Sequence, residues 1–553
     1  MKTKNIILSS VLGMAFMAFG TSCDDGFDGI NSDPNKVPDN KHTFYLTDIS
    51  QAIQYSCDYN YSKSGGAQGG ADIHQRVKAL SIDVFTQYNM GGSAQAAYSP
   101  NDEWQSKYWG AHFVSYLGVL NSAIQIAEAN EDANATAIGL VWRANVQAMA
   151  TDYYGLIPFP VEPTNGEKPP YMDLQKQYEI IFADLDKAIS LFDASKSTIT
   201  TEPLYKGDVS KWKKFCNTLR LRFALKMSEI DPTLCSTQAQ KALSAGGGVL
   251  GSSEDDALAS TYGGWGSANY VYTYYYSWGG GPTEMTKTME DILTGIGGQA
   301  YNGEATGIHP AKVDPRGGRM FDPSTTGSNF QGGIVSQNPE PGNYRDGVSR
   351  MSAKYVSQNL TRKLRVMTYA EACFLLAEAV ERNFVSSGDA GGSAEQWYNK
   401  GVEASFIDWE FTAADAATYL ASTDKNNWGT SAKYGDAVSD PGNSNLEKIV
   451  TQRYIAFFPD LANQIWNDKR RLNLPAMHIP QYRNTGDGTW PTDGDIKNPA
   501  NFIQRTAYPQ SEPKLNRENY EAAVSLLGGD GDKASTPLWW ASKKANYCTS
   551  NNP

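Results

Sequence analysis

Two stretches of the chain carry the side chains best suited to meeting a ligand. Residues 262 to 278 include Tyr262, Trp265, Tyr270, Tyr272, Tyr274, Tyr275, Tyr276 and Trp278, interrupted by Gly263, Gly264 and Gly266. Residues 88 to 109 include Tyr88, Asn89, Tyr98, Asn101, Asp102, Trp104, Tyr108 and Trp109. Flat rings beside amides and carboxylates suit a sugar, whose C–H face lies against an indole or phenol while its hydroxyl rim takes hydrogen bonds. Rigid rings supply this contact at low entropic cost. The expected ligand-binding residues are therefore Trp265, Trp278, Tyr270 and Tyr272 in the first stretch and Tyr88, Asn101, Trp104 and Tyr108 in the second. Trp265 and Trp278 stand next to glycine, which suits an open loop better than regular packing. Trp104 and Tyr108 stand at helical spacing, so core packing is an equal alternative for them.

A different chemistry is expected at Cys23. It follows Lys2, Lys4 and an apolar run from Ile6 to Phe19, too short for a membrane span and typical of a secretory leader. Gly20, Thr21 and Ser22 fit a signal-peptidase pocket, so residues 1–22 are expected to be removed and Cys23 acylated. Two or three acyl chains would then anchor the chain to a membrane, with residues 23–45 as a tether and 46–553 as a single domain. Ordinary cleavage without acylation is the alternative.

The elements that must hold these groups are mainly helical. Trp104, Tyr108, His112, Tyr116 and Leu120 recur every four residues, and Ala137–Tyr154 carries a second apolar stripe. Further helices are expected over 173–192, 209–230, 364–384, 394–407 and from 445 to 471. Each leaves an apolar face bare, so they must stack in pairs, as repeat proteins do. The expectation is a tetratricopeptide-like helical-repeat scaffold with a large loop-rich region, about 246–350, packed on one side. A net charge of −12 argues against nucleic acid as a partner. The five cysteines after Cys23 are odd in number and scattered, giving neither a disulfide framework nor a zinc site. The aspartates at 314, 322 and 346 lack calcium-loop spacing, so no metal or cofactor is expected.

Several segments, taken together, resemble the SusD/RagB family. They are Asn31–Asn35 with its Asp-Pro-Asn, Asp152–Phe159, Tyr205–Arg222, Tyr369–Ala379, Thr451–Ala456 with Trp466 and Arg470-Arg471, and Tyr508–Glu512 with Asn516. The resemblance implies an outer-membrane lipoprotein with a helical-repeat core, facing the cell exterior. It also implies a SusC-like TonB-dependent transporter as partner, with this protein as a lid that captures oligosaccharide and delivers it inward. Asp24-Asp25 resembles the acidic export signal of such lipoproteins. None of the matching segments is a catalytic site, and Arg220, Arg222, Arg470 and Arg471 read as scaffold cations.

Three other readings compete. The same lid role with peptide cargo would use the 262 to 278 rings to stack prolines or peptide bonds. A glycoside hydrolase would need two carboxylates at a defined separation, and the sequence offers no recognisable pair, so no enzymatic activity is expected. A purely structural role needs no ligand.

Overall fold

The central helix begins where Asp132 accepts a hydrogen bond from the Ala135 N–H at 3.1 Å, an N-cap that satisfies one of the first-turn donors. It ends at Gly155, whose φ of 91° is closed to residues bearing a Cβ. Between them Asn134 to Tyr154 are all buried, as expected of a helix covered on every side.

The computed structural model describes residues 44–57, 73–90, 102–160, 168–259, 271, 283–303, 310–324, 330–335, 347–438, 442–480, 495–496, 498, 500–542 and 545–547. The principal helices are α1 (Phe44–Ser56), α2 (Asp102–Ala111), α3 (Gly118–Ala129), α4 (Ala133–Tyr154), α5 (Leu174–Leu191) and α6 (Val209–Lys226). They continue as α7 (Pro232–Ser244), α8 (Tyr369–Glu381), α9 (Ala394–Asp408), α10 (Asn445–Phe457), α11 (Ala462–Leu472) and α12 (Arg517–Leu527). Residues 45–553 form one compact unit. Within it α4 lies against α3 and α5, α6 against α7, α8 against α9 and α10, and α10 against α11. This is the mainly helical, paired architecture that the periodicity predicts. Gly401 shows why small residues recur at the pairings: a Cβ there would come within 2.7 Å of the Phe374 ring across the α8–α9 contact. Cys216, Cys235 and Cys373 are free and buried, and Cys57 is buried as well.

The strands are short: β1 (Ala257–Ala259), β2 (Thr294–Gln299), β3 (Phe321–Asp322), β4 (Arg350–Met351) and β5 (Leu364–Met367). β1 pairs antiparallel with β5, and β3 with β4. The expected helix from Leu364 therefore begins at Tyr369, because Leu364–Met367 completes a ladder with a distant segment instead. Similarly, the run from 445 to 471 is two helices, interrupted around Pro459.

Ionic groups fasten the helices to one another inside the core. Glu378 of α8 accepts from Arg471 of α11 through Nη1 at 2.5 Å and Nη2 at 2.6 Å, and from Arg453 of α10 at 2.8 Å. Arg471 also reaches the Leu225 carbonyl of α6 at 3.2 Å. Asp152 of α4 accepts from Lys226 of α6 at 2.6 Å and from Asn467 of α11 at 2.7 Å. Arg470 donates to the carbonyls of Asp152 and Gln504, at 2.6 and 2.8 Å. Arg470 and Arg471 are thus scaffold, as the sequence suggests.

Although burial alone would raise it, the surrounding guanidinium groups, Arg471 foremost, hold the Glu378 carboxyl down at about 2. Removing the carboxylate leaves buried Arg453 and Arg471 sharing the single Asp468 carboxylate, so Glu378→Ala should lower the unfolding free energy by about 3–5 kcal/mol at neutral pH. Because the folded-state value is depressed, this contribution is complete above the unfolded value of about 4.5 and is lost as pH falls toward about 2. Urea midpoints of parent and variant should therefore converge on acidification. A gap that stays constant from pH 7 to pH 3 would contradict the assignment.

Candidate ligand-binding groove

Helices α2 and α3 are one rod joined by a π-helical segment, His112–Leu117, and this junction shapes the site. The Gly118 N–H donates to the Phe113 carbonyl, five residues back. A Cβ on Gly118 would stand 2.6 Å from that same oxygen, so glycine is what allows the wide turn to close. Inserted π turns are common at functional positions. Here the extra residue moves the outward stripe from Trp109 and Phe113 to Gly118, Asn121, Ser122 and Gln125. An uninterrupted α-helix would instead align Trp109 with Tyr116, Leu117, Leu120 and Ile124, all of which are buried. It also explains the four-residue recurrence from Trp104 to Leu120, too long a step to hold one face of a plain α-helix.

That stripe forms one wall of an open groove of about 580 Å³. Pro158 and Pro160 follow the α4 stop, and Lys168 and Pro169 precede α5. Glu512, Leu515 and Asn516 close the far side. Trp109 is wedged edge-on against Phe113 and Tyr154, with ring centroids 4.9 and 5.0 Å away, and lies 5.9 Å from both Tyr171 and Tyr508. Tyr171 donates to Glu512 Oε2 at 2.5 Å, and Tyr508 donates to the Leu156 carbonyl at 2.7 Å. Burial, then the Glu512 charge, pushes the Tyr171 phenol far up, so it remains a donor throughout the physiological range. Asn121 donates to the Pro160 carbonyl and accepts from Arg143 at 3.3 Å. Arg143 is in turn clamped to Asp184 of α5 by two bonds of 2.8 and 2.7 Å. The groove therefore presents a fixed aromatic and proline surface, with the Glu512 carboxylate, the Lys168 ammonium and the Ser122 hydroxyl at its rim.

Of the residues expected from sequence, Trp104 is half-buried on α2. Tyr88 and Tyr108 are corrections, being 0% and 1% exposed. Tyr88 donates to the Tyr454 carbonyl at 2.7 Å and lies 4.8 Å from the Tyr454 ring, so its polar tip is satisfied inside the core. Tyr108 lies within a cluster of Tyr116, Tyr153 and Tyr154. Neither offers a ring face to a ligand. Asn101, Trp265, Tyr270, Tyr272, Trp278 and Cys23 lie outside the described residues. Among the described residues no group of three or more His, Cys, Asp or Glu could hold a metal ion.

A family model described as Susd and RagB outer membrane lipoprotein matches residues 29–541. The chain belongs to the SusD/RagB family. Its fold resembles that of a SusD homolog from Parabacteroides distasonis, with a TM-score of 0.79 and 34% identity over 92% of this chain and 100% of that one. A SusD homolog from Bacteroides vulgatus gives a TM-score of 0.74 at 26% identity, covering 92% and 99% of the two chains. A chitin-binding SusD homolog from Flavobacterium johnsoniae shares the fold at 22% identity and a TM-score of 0.70, over 90% and 98%. No curated protein matches the chain.

Membership makes this an outer-membrane lipoprotein family with a helical-repeat core, as the residue motifs imply. The groove brings together two of the family-like segments, Asp152–Phe159 and Tyr508–Glu512 with Asn516, whose meeting the sequence gives no means to foresee. The missed residues are Trp109 as a wall, Phe113, Glu512 and Lys168. Trp109 and Phe113 each follow a member of the four-residue recurrence, Tyr108 and His112, and that was the available signal.

Gly118→Ala should cost about 1–3 kcal/mol of stability through the clash with Phe113 and should displace Trp109. Deleting Val114, which is 74% exposed, in the same chain should return the turn to α geometry and restore both. The readouts are the urea midpoint and the ¹⁹F resonance of Trp109 in fluorotryptophan-labelled protein. An unmoved Trp109 signal in Gly118→Ala would refute the role of the turn.

Proposed function

We propose that the protein is a cell-surface glycan-binding lipoprotein that captures oligosaccharide and delivers it to a partner SusC-like TonB-dependent outer-membrane transporter, over which it acts as a lid. Acylated Cys23 is its anchor in the outer membrane. The observation that carries the reading is the groove, in which the fixed Trp109 and Phe113 rings stand beside a carboxylate, an ammonium and a hydroxyl. A sugar can lay its C–H face on the rings and satisfy its hydroxyls at the rim. Family membership supports the lipoprotein and lid roles, and the chitin-binding relative supports a carbohydrate as the ligand class. In this reading Trp104, Trp265 and Trp278 remain candidates for ligand contact from the residue types alone, and the protein binds without hydrolysing.

Peptide cargo is favoured by one feature, the three prolines and 66%-exposed Leu515 around the same groove. Isothermal titration against neutral oligosaccharides and peptides separates the two readings. Oligosaccharide binding should weaken about tenfold or more in Trp109→Ala, the loss of one buried aromatic contact. Binding of peptides alone would reject the glycan reading, and new reducing ends on incubation would reject the non-catalytic one. Cys23→Ser should release the protein from the membrane fraction, and retention there would reject the lipid anchor.

A further inference from the structure

Three fully buried polar side chains form a hydrogen-bonded relay behind the groove, and none of them lines it. His112 opens the π-helical segment, Gln147 lies on α4 and Gln177 on α5. His112 Nε2 stands 3.1 Å from Gln147 Oε1. Gln147 Nε2 donates to Gln177 Oε1 at 2.6 Å and to the Pro158 carbonyl at 3.3 Å, and Gln177 Nε2 donates to the Met172 carbonyl at 2.8 Å. Ile157 and Met172 are bridged in turn, the Met172 N–H donating to the Ile157 carbonyl at 3.1 Å. The relay thus starts on the rod that carries Trp109 and Phe113. It ends on the backbone beside Pro158 and Pro169, across the groove.

Two carbonyls fix the direction of every bond in it. A carbonyl only accepts, so Met172 claims the amide nitrogen of Gln177 and leaves Gln177 Oε1 facing Gln147. Gln147 must then donate both to Gln177 and to Pro158, which uses its two N–H bonds and leaves its Oε1 for His112. His112 must therefore carry its proton on Nε2, with Nδ1 as a bare acceptor. Nδ1 meets no partner among the described residues. A proton added there would be a buried donor without an acceptor. Accordingly, burial brings the imidazole down to about 4 despite the bond to Gln147, and the ring is neutral at pH 7. The same ring stands edge-on to Phe113, with centroids 4.8 Å apart, so one residue braces a ring of the groove and orients the relay.

We propose that His112 is a positioning residue for the groove, whose Nε2–H, acting through Gln147 and Gln177, sets the spacing between the Trp109 and Phe113 wall and the wall of Pro158 and Pro169. This role rests on the reading of the groove as the ligand site, and adds to it a residue that no ligand touches. A wall released from the relay would have to be ordered by the ligand itself, which lowers affinity without removing a contact.

The test compares three variants of the full chain by isothermal titration with neutral oligosaccharides. His112→Leu removes the donor, His112→Gln keeps an N–H of similar reach, and Gln177→Met breaks the far end of the relay while leaving the ring beside Phe113 in place. His112→Leu and Gln177→Met should each bind about tenfold more weakly, and His112→Gln should stay within about threefold of the parent, on the scale of one hydrogen bond. Histidine ¹⁵N NMR, with the His112 signals assigned through His112→Gln, should show the Nε2–H tautomer at pH 7. A crystal structure of Gln177→Met should show Pro158 displaced relative to Gly118. The proposal is overturned by an Nδ1–H tautomer, by His112→Gln binding as weakly as His112→Leu, by parent affinity in Gln177→Met, or by an unmoved Pro158. Failure of the groove reading has its own signature, full oligosaccharide affinity in Trp109→Ala, and the tautomer and the place of Pro158 then still decide whether the relay sets the walls.

Discussion

The stack of helices depends on charges placed where water cannot reach them. Glu378 is fully buried on α8 and is met by guanidinium groups from α10 and α11, so three helices share one ionic centre. Asp468 of α11 joins it, 3.1 Å from Arg453 and 2.8 Å from Arg471. The two acids respond oppositely. Arginine pairing dominates at Glu378 and lowers its carboxyl, whereas desolvation and the neighbouring Glu378 charge raise that of Asp468. Glu378 receives charge-assisted bonds on both oxygens. A centre of this kind adds little net stability compared with apolar packing. Its value is register: a helix shifted by one turn would strand a buried charge.

This bears on how a degenerate array keeps its shape. The helix pairs differ in length and spacing, so no repeated apolar interface can align them all. The Asp152–Lys226–Asn467 link performs the same service between α4, α6 and α11. Arg470 extends it to the backbone at Asp152 and Gln504, tying the C-terminal segment to the end of α4. The groove sits beside that seam, with Pro158 on one side and Glu512 on the other. Its shape is therefore inherited from the core and not from loop packing alone.

Much of this was legible in the residues. Apolar recurrence located most of the helices, and those expected over 364–384 and 394–407 contain the α8–α9 pair. Leu364–Met367 misled because a short apolar run fits strand and helix alike, and only the distant partner β1 decides. Tyr88 and Tyr108 misled for another reason. An amphipathic ring serves a ligand or a core equally well, and for Tyr88 the outcome rested on a carbonyl 366 positions away. The groove was hardest to foresee, since Asn121, Pro160 and Glu512 have no local relation in the chain. Its one local trace was a recurrence at intervals of four, whose meaning changes once a π turn is admitted.

The fixed floor has a consequence for how binding free energy is spent. Trp109 touches four other rings, and Glu512 is oriented by Tyr171, so neither must lose much freedom when a ligand arrives. Preorganisation of this sort raises affinity by lowering ordering costs rather than by adding contacts. A platform set in the core can grip a sugar face without closing around it, which suits capture followed by release.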